Sequence, residues 1–358
     1  MPSLVTRHSL SSLPSWAQAE LAPTRAIDPF FSATWFEVFL ESCPEPGVEP
    51  LFLAIDAGAR RGVAALRERR GAGRQLGDLG NFYTCRYAPV LGAVDRELAA
   101  GLAAWLSEER PRIDTLRFDN LRAEDDPQDA VAAALRARGF AVQRYEQFGN
   151  WFEDVRGIGF AQYLAARDGQ LRSTIERKGR RFARQAGARL ELMTAASDLE
   201  RGLAAYLEVH ARSWKEPEPF PGFIPAFVRR FGAVGAVRMG VAWVDERPLA
   251  AQIWLAWGRH ATIAKLVYDD AAKALSPGTV LTARMLEDAL DAKLFDEIDL
   301  GRGDDPYKKL WLRDRRPVHG LFAANLRSPR GLAAAARNFG PTALKAIAAR
   351  FRTIARPS

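Results

Sequence analysis

The sequence predicts an α/β (α+β) protein built as two successive units. Strand-like and helix-like segments alternate from residue 28 to about 155. Three strands with short turns, Ala236–Val244, Leu249–Trp257 and His260–Tyr268, are followed by a helix and another strand. The chain of 358 residues also exceeds one ordinary domain, for which about 100–200 residues is usual.

The elements follow in order. Residues 1–27 read as a leader lying on the surface. Asp28-Pro29 opens a helix whose apolar positions Phe31, Trp35, Phe36, Phe39 and Leu40 recur at helical spacing. Leu51–Ile55, Val63–Leu66 and Leu76–Leu79 read as strands, and Arg96–Glu109 as a helix stopped before Pro111. Ile113–Phe118 is a strand, Pro127–Arg138 a helix, and Phe140–Tyr145 a strand after the helix-stopping Gly139. This first domain spans 28–155, and a second spans 156–326. In the second, Phe160–Leu164 opens a helix that grows basic through Arg184, and Arg189–Met193 is a strand. Ser197-Asp198 is placed to cap a long helix reaching Trp214. Phe223–Phe231 and Thr279–Leu294 are helices, and Glu297–Leu300 and Pro317–Leu326 strands. Residues 327–358 form a basic helical tail with Leu344, Ile347, Phe351 and Ile354 on one side. Such a tail suits docking on the protein body, the favoured reading, or an anionic membrane surface.

Composition narrows the class. Hydrophobic residues make up 48% and charged residues 26%, which excludes a disordered, collagen-like or coiled-coil chain. Two cysteines, Cys43 and Cys85, exclude a disulfide scaffold or a Cys-based zinc site. No His-x-x-x-His or comparable ligand spacing calls for a metal. No apolar run reaches the roughly 18 residues of a membrane span, and the N-terminus lacks the pattern of a secretory signal. A cytoplasmic location is expected. The net charge of +8 is concentrated. Residues 167–189 carry eight Lys/Arg against two acids, and 327–358 carry seven against none. Arg177, Arg180, Arg181 and Arg184 recur at i, i+3, i+4 and i+7, forming one cationic stripe on a helix. It is either a solvated face or a dock for an acidic carrier protein, CoA phosphates or tRNA. No aromatic interleaving or nucleic-acid motif accompanies it, so tRNA is not specifically indicated.

The most informative stretch runs from Leu249 to Leu312. Ser276-Pro277-Gly278 and Thr279 lead into a helix N-terminus, where free N–H groups and a positive dipole end suit a pyrophosphate. The competing reading is an ordinary N-cap and turn. After the next strand comes Gly301-Arg302-Gly303-Asp304-Asp305-Pro306-Tyr307-Lys308-Lys309. Together with Lys265-Leu266-Val267-Tyr268-Asp269, Trp311, Tyr163-Leu164 and His210-Ala211-Arg212-Ser213-Trp214, this order resembles a GNAT acyltransferase core. The nearer likeness is to its FemAB-like, CelD-like branch, which carries two GNAT folds in tandem. The resemblance covers about residues 28–320. It implies two GNAT-like domains, each a mixed sheet flanked by helices, with the donor bound by the C-terminal one. It further implies an acyltransferase moving an acyl group from acyl-CoA or acyl-carrier protein to an amine on a small molecule, peptide or glycan. The usual GNAT Gln/Arg-x-x-Gly-x-Gly/Ala loop is absent and Ser276-Pro277-Gly278 stands in its place. CoA, carrier protein and, as in FemAB relatives, aminoacyl-tRNA therefore stay open as donors. A non-catalytic binding module on the same fold is the remaining alternative.

By this resemblance, backbone groups of Leu266, Val267 and Tyr268, with Ser276, Gly278 and Thr279, hold the donor. Tyr307 is the candidate acid for the departing thiolate, unless it packs on Trp311. Asp304 orients a cationic acceptor or acts as base, Asp305 reads as a helix cap, and Arg302 contacts substrate or pairs with either. Alternation places Ile263, Lys265 and Val267 on one face of a strand. Lys265 contacts substrate or forms an internal salt bridge. His210 and Trp214, four residues apart on one helix, are candidates for a general base and an acceptor contact.

Overall fold

The computed structural model describes residues 3–92, 95–125 and 129–340. Its elements run, in the first part of the chain, β1 (Leu4–His8), α1 (Ser15–Leu21), α2 (Ala33–Ser42), β2 (Val48–Asp56), β3 (Arg61–Arg70), β4 (Arg74–Asp78), a short β5 (Leu91–Gly92), α3 (Arg96–Glu108), β6 (Thr115–Leu121), α4 (Ala130–Ala137) and β7 (Phe140–Asp154). There follow α5 (Phe160–Ala165), α6 (Gly169–Ala183), β8 (Arg189–Met193), α7 (Ala196–Ala211), α8 (Phe223–Ala233), β9 (Val237–Val244), β10 (Arg247–Trp257), β11 (His260–Tyr268), α9 (Pro277–Asp291), β12 (Glu297–Asp299), α10 (Lys308–Trp311) and β13 (Asp314–Asn325). Residues 329–340 are helical.

The chain forms two compact units, 1–36 with 44–148 and 317–358, and 37–43 with 149–316. The first unit has strand order β1-β2-β3-β4-β6-β13-β7. Its strands are antiparallel from β1 to β4, then β4 and β6 are parallel. A parallel pair needs a long crossover, and α3 supplies it, opened by the Asp95 carboxylate accepting the Leu98 N–H at 2.8 Å. Leu98, Leu102 and Leu106 of α3, Val131 and Leu135 of α4, and Leu53, Leu66, Leu116 and Phe118 of the sheet share one core.

Two expectations change here. The leader is a sheet strand, because β1 pairs along β2 from Leu4↔Asp56 to His8↔Phe52. A lone five-residue strand carries no hairpin signal, so its partner could not be read locally. The strand expected at 317–326 in the second domain returns to the first unit, pairing β6 through His319↔Leu121 and Leu321↔Phe118. In the tail, Ala334 and Ala335 are buried against Ala141 and Ala324. The expected apolar side at Leu344, Ile347, Phe351 and Ile354 lies outside the described residues, as does the start of the helix expected at Pro127.

The second unit runs β12-β11-β10-β9-β8, with the last residues of β7 paired to β12. β8 to β11 are antiparallel, and β11 and β12 are parallel with α9 as the crossover. Leu281, Met285, Leu286 and Leu290 of α9 pack with Trp254, Ile263 and Ile298. The basic segment is two helices rather than one, because Asp168 accepts the Gln170 N–H and restarts the chain as α6. α7 begins at Ala196 without a side-chain cap and ends at Ala211, so Ser197-Asp198 lie inside it and Trp214 lies beyond it.

Candidate active site

The second unit's candidate residues gather around β11. Its parallel pairing with β12 is short, from His260↔Glu297 to Thr262↔Asp299. β11 then continues to Tyr268 with β10 alone as its strand partner among the described residues. The Asp269 N–H reaches Leu249 O at 2.8 Å. Because N–H directions alternate along a strand, Val267 and Lys265 also turn toward β10, whereas the N–H groups of Leu266 and Tyr268 turn to the side that β12 has left. Neither has a hydrogen-bond partner among the described residues. Val267, expected beside the donor, has its backbone aimed at β10 and its side chain buried.

A β-bulge sets the faces of this strand. Ile253 opposes Lys265, but the next residue, Trp254, opposes Ile263, so Ala264 is extra. Cross-strand partners share a face. Ile263 therefore lies opposite Lys265, not beside it as simple alternation implied.

On the α9 side, an added Cβ at Gly278 would meet Tyr268 Cδ1 at 3.5 Å and Leu266 Cδ1 at 3.6 Å, ordinary contact distances. The protein's own packing does not demand glycine there. Ser276 sits at the N-cap in the left-handed region (φ 51°) and makes no side-chain cap. Pro277 occupies the first helical position, and Thr279 is half-buried. Lys178 of α6 donates to Ala274 O at 2.7 Å, which ties the basic helix to this loop. Among the described residues Arg177, Arg181 and Arg184 are exposed and make no ion pair.

The other side of β11 carries a polar cluster. Lys265 Nζ donates to Glu218 Oε1 at 2.6 Å, so the internal salt bridge is the contact it makes. His210, in the last turn of α7, places Nε2 at 3.8 Å from the same oxygen. Burial lowers the His210 pKa, with Lys215 and Lys265 adding to the effect and Glu218 opposing it. The ring is thus held toward its neutral form. Tyr206 is buried below it, with ring centroids 5.9 Å apart. Burial and Glu218 raise its pKa, although its hydroxyl makes no hydrogen bond of ordinary geometry. Burial, then Lys265, pulls Lys215 down to about 8. Trp214 is exposed, with the Lys215 ammonium 5.9 Å from its ring centroid. Glu218 and Lys215, central here, carried no signal in the sequence beyond lying in a proline-rich loop.

The loop after β12 is held from within. Gly301 (φ 62°) and Gly303 (φ 98°) take left-handed conformations that suit glycine. The resulting turn points three carbonyls at Lys308 Nζ, which donates to Leu300 O, Arg302 O and Gly303 O at 2.9, 2.6 and 3.1 Å. Asp304 accepts from Trp151 Nε1 at 2.6 Å and from Arg315 at 2.8 Å, and the Arg315 bond first, then Trp151, lowers its pKa. A carboxylate so engaged is a clasp for the loop and a weak base. Arg302 is half-buried. Asp305 is exposed and 3.5 Å from Lys308. Tyr307 opens α10 with about half its surface exposed, while Trp311 is buried and no ring contact joins them. Partial burial, then Asp305, pushes the Tyr307 phenol up to about 12, so it is a protonated donor at neutral pH. Below the loop, Arg167 bonds Glu153 at 2.6 Å and Trp311 O at 2.8 Å, and the Tyr163 hydroxyl also donates to Trp311 O. Arg212 and Arg247 likewise converge on Asp269 at 3.0 and 2.6 Å, bracing the end of α7 against the end of β11.

Residues 169–309 match the family model described as an acetyltransferase (GNAT) domain. The crystal structure of FemX overlays with a TM-score of 0.62 at 10% identity, covering 91% of this chain and 98% of that one. A conserved protein of unknown function from Bacteroides thetaiotaomicron overlays at 0.51 and 11% identity, covering 86% and 91%. A tandem GNAT protein from the clavulanic acid biosynthesis pathway matches more loosely, at 0.46 and 15% identity over 89% and 98%. No curated protein matches the sequence significantly. At these identities the likeness is one of fold. The chain carries a GNAT-type acetyltransferase domain on a mixed α/β architecture, and its fold is shared with FemX. Among the described residues no cluster of three or more His, Cys, Asp or Glu side chains is placed to hold a metal ion, and no helix is long and apolar enough to cross a membrane.

Proposed function

We propose that the second unit transfers an acyl group from a thioester to an amine. The observation that carries this reading is the early end of the β11–β12 pairing, which leaves the Leu266 and Tyr268 N–H groups without partners. Two such donors on one strand edge suit a thioester carbonyl, whose oxygen gains negative charge as an amine adds. CoA would lie along this edge and the α9 N-terminus, where no protein contact requires the small size of Gly278. When bound, CoA supplies the thioester; the chain supplies position, a base and an acid. On this reading His210, held toward the neutral form, takes a proton from the amine. On this reading Tyr307, protonated and partly exposed, returns one to the departing sulfur. Lys308 and Asp304 hold the loop that presents Tyr307, and Arg302 remains a candidate substrate contact.

The likeness to FemX and the exposed Arg177, Arg181 and Arg184 favour one second reading, a FemAB-like transferase that takes its acyl group from aminoacyl-tRNA. An acidic acyl-carrier protein would dock on the same stripe. The deciding assay offers acyl-CoA, acyl-carrier protein and aminoacyl-tRNA with a panel of amines and follows thiol or tRNA release. Amine-dependent thiol release that falls at least 100-fold in Tyr307→Phe supports the thioester reading. Salt-sensitive tRNA binding, with transfer from aminoacyl-tRNA alone, replaces it with the second. No transfer from any donor overturns both and leaves a binding module.

A further inference from the structure

The cations around β11 differ in one respect. Lys265 is paired with Glu218, Lys308 is engaged by three carbonyls, and Arg212 is paired with Asp269 and Glu208. Lys215 is half-buried, yet its ammonium makes no hydrogen bond or ion pair among the described residues. Its backbone is fixed by the Ser213 hydroxyl, which accepts the Lys215 N–H at 3.3 Å, and its side chain is directed along the Trp214 ring. Holding an ammonium part-buried and unpaired is unfavourable unless an anion arrives to pair it. The proline-rich loop that delivers Lys215 also delivers Glu218, three residues on, to the His210–Lys265 side of β11.

We propose that Lys215 binds a carboxylate on the acceptor, so that the acceptor is an amino acid whose ammonium is received by Glu218 and His210. This rests on the acyl-transfer reading above and adds the substrate class. A zwitterion places one negative and one positive group a few bonds apart. The site offers the complement of each: an unpaired ammonium, and a carboxylate beside a neutral imidazole. Lys215's lowered pKa follows from the same arrangement, since burial and Lys265 both disfavour its charge until an anion is bound. The proton balance closes. His210 takes one proton from the substrate ammonium and passes it to water. The free amine adds to the thioester carbon, forming C–N as C–S breaks. The second nitrogen proton passes to water as the amide forms, Tyr307 gives its proton to the departing thiolate, and water returns one proton to Tyr307, so that one proton is released overall.

The test uses the full chain with whichever thioester supports turnover. It compares amino acids with the amines obtained by removing only the carboxylate, such as phenylalanine with phenethylamine. A charge-assisted contact of this kind is worth roughly a 10- to 100-fold preference in kcat/KM for the amino acid. Lys215→Gln is expected to abolish that preference, mainly through KM, and Lys215→Arg to retain part of it. Donor binding, read as a thermal shift, stays unchanged in both, which also shows that both are folded. Equal turnover of the two acceptors by the wild type overturns the inference while leaving acyl transfer standing. So does an undiminished preference in folded Lys215→Gln. Absence of turnover with every donor and amine overturns the acyl-transfer reading and this inference with it.

Discussion

Each unit contains one parallel strand pair joined by a crossover helix, and the two pairs end differently. In the first, β4 and β6 pair from Gln75↔Thr115 to Gly77↔Arg117. Beyond that point the chain seals the widening gap itself. The Asp78 carboxylate accepts the Asp119 N–H at 3.0 Å. Tyr87 donates its N–H to Asn120 O at 2.9 Å, bridges Leu121, and bonds Ala65 O through its hydroxyl at 3.1 Å. In the second, the pairing of β11 with β12 stops at Thr262↔Asp299, and two N–H groups on the open edge have no partner among the described residues. Unpaired backbone donors are uncommon inside proteins. Their presence in one pair and absence in the other separates a strand pair that closes on itself from one that, on the proposed reading, receives a carbonyl.

Four substitutions break or sharpen this contrast. The largest expected effect is Tyr307→Phe, which removes the proposed acid and is expected to lower kcat by roughly 10²–10⁴-fold with the melting temperature unchanged. Next is Arg167→Met, which takes the 2.6 Å partner from the buried Glu153 carboxylate, leaving it to Arg313, and removes one of the two side-chain donors to Trp311 O, Tyr163 being the other. An uncompensated buried charge costs about 3–5 kcal/mol; with Arg313 still bonded to Glu153 the expected loss is up to about 3 kcal/mol, measurable by urea unfolding, together with a looser loop around Tyr307.

The third concerns the closed pair. Burial raises the Asp78 pKa to about 7, well above the roughly 3.9 of an unfolded aspartate. A group whose folded pKa is raised contributes stability at low pH and loses it as pH rises through the folded value. Stability from Asp78 therefore falls between about pH 4 and 7, by at most about 4 kcal/mol. Asp78→Asn should match the wild type near pH 4 and exceed it at pH 8 in unfolding midpoint; equal midpoints at pH 8 would refute the buried-carboxyl account. The smallest effect is Tyr87→Phe, which loses the bond to Ala65 O and about 1 kcal/mol without changing the thermal shift produced by a thioester donor. A changed donor shift would place the first unit in donor binding and dissolve the contrast.

Much of the architecture was readable locally. The β9–β11 meander follows from apolar runs broken at Glu246-Arg247-Pro248 and Gly258-Arg259, and α9 from the apolar spacing of Ala283, Leu286 and Leu290. The positions of Tyr307 and His210 were also legible as candidates, because a glycine-bracketed loop after a strand and a histidine at a helix end are local features. The engagement of Asp304 could not be read locally, because its partners Trp151 and Arg315 lie 153 and 11 residues away. Trp214 was assigned to a helix that the chain leaves at Ala211. Lys215 and Glu218 were overlooked because a proline-rich loop has no periodicity to say which side chains turn inward.

The sequence by itself determined the elements, the two-unit α/β plan and the Gly-Arg-Gly-Asp-Asp-Pro-Tyr-Lys loop, since these depend on propensity and on neighbours a few residues apart. Tertiary structure alone decided that β1 and β13 are strands of the first unit, that Ala264 bulges and turns Lys265 away from Ile263, and that β12 stops short of Tyr268. Each of those is a matter of register between distant segments. A one-residue change of register exchanges the faces of a strand, and no local pattern around Lys265 encodes which strand will lie opposite it.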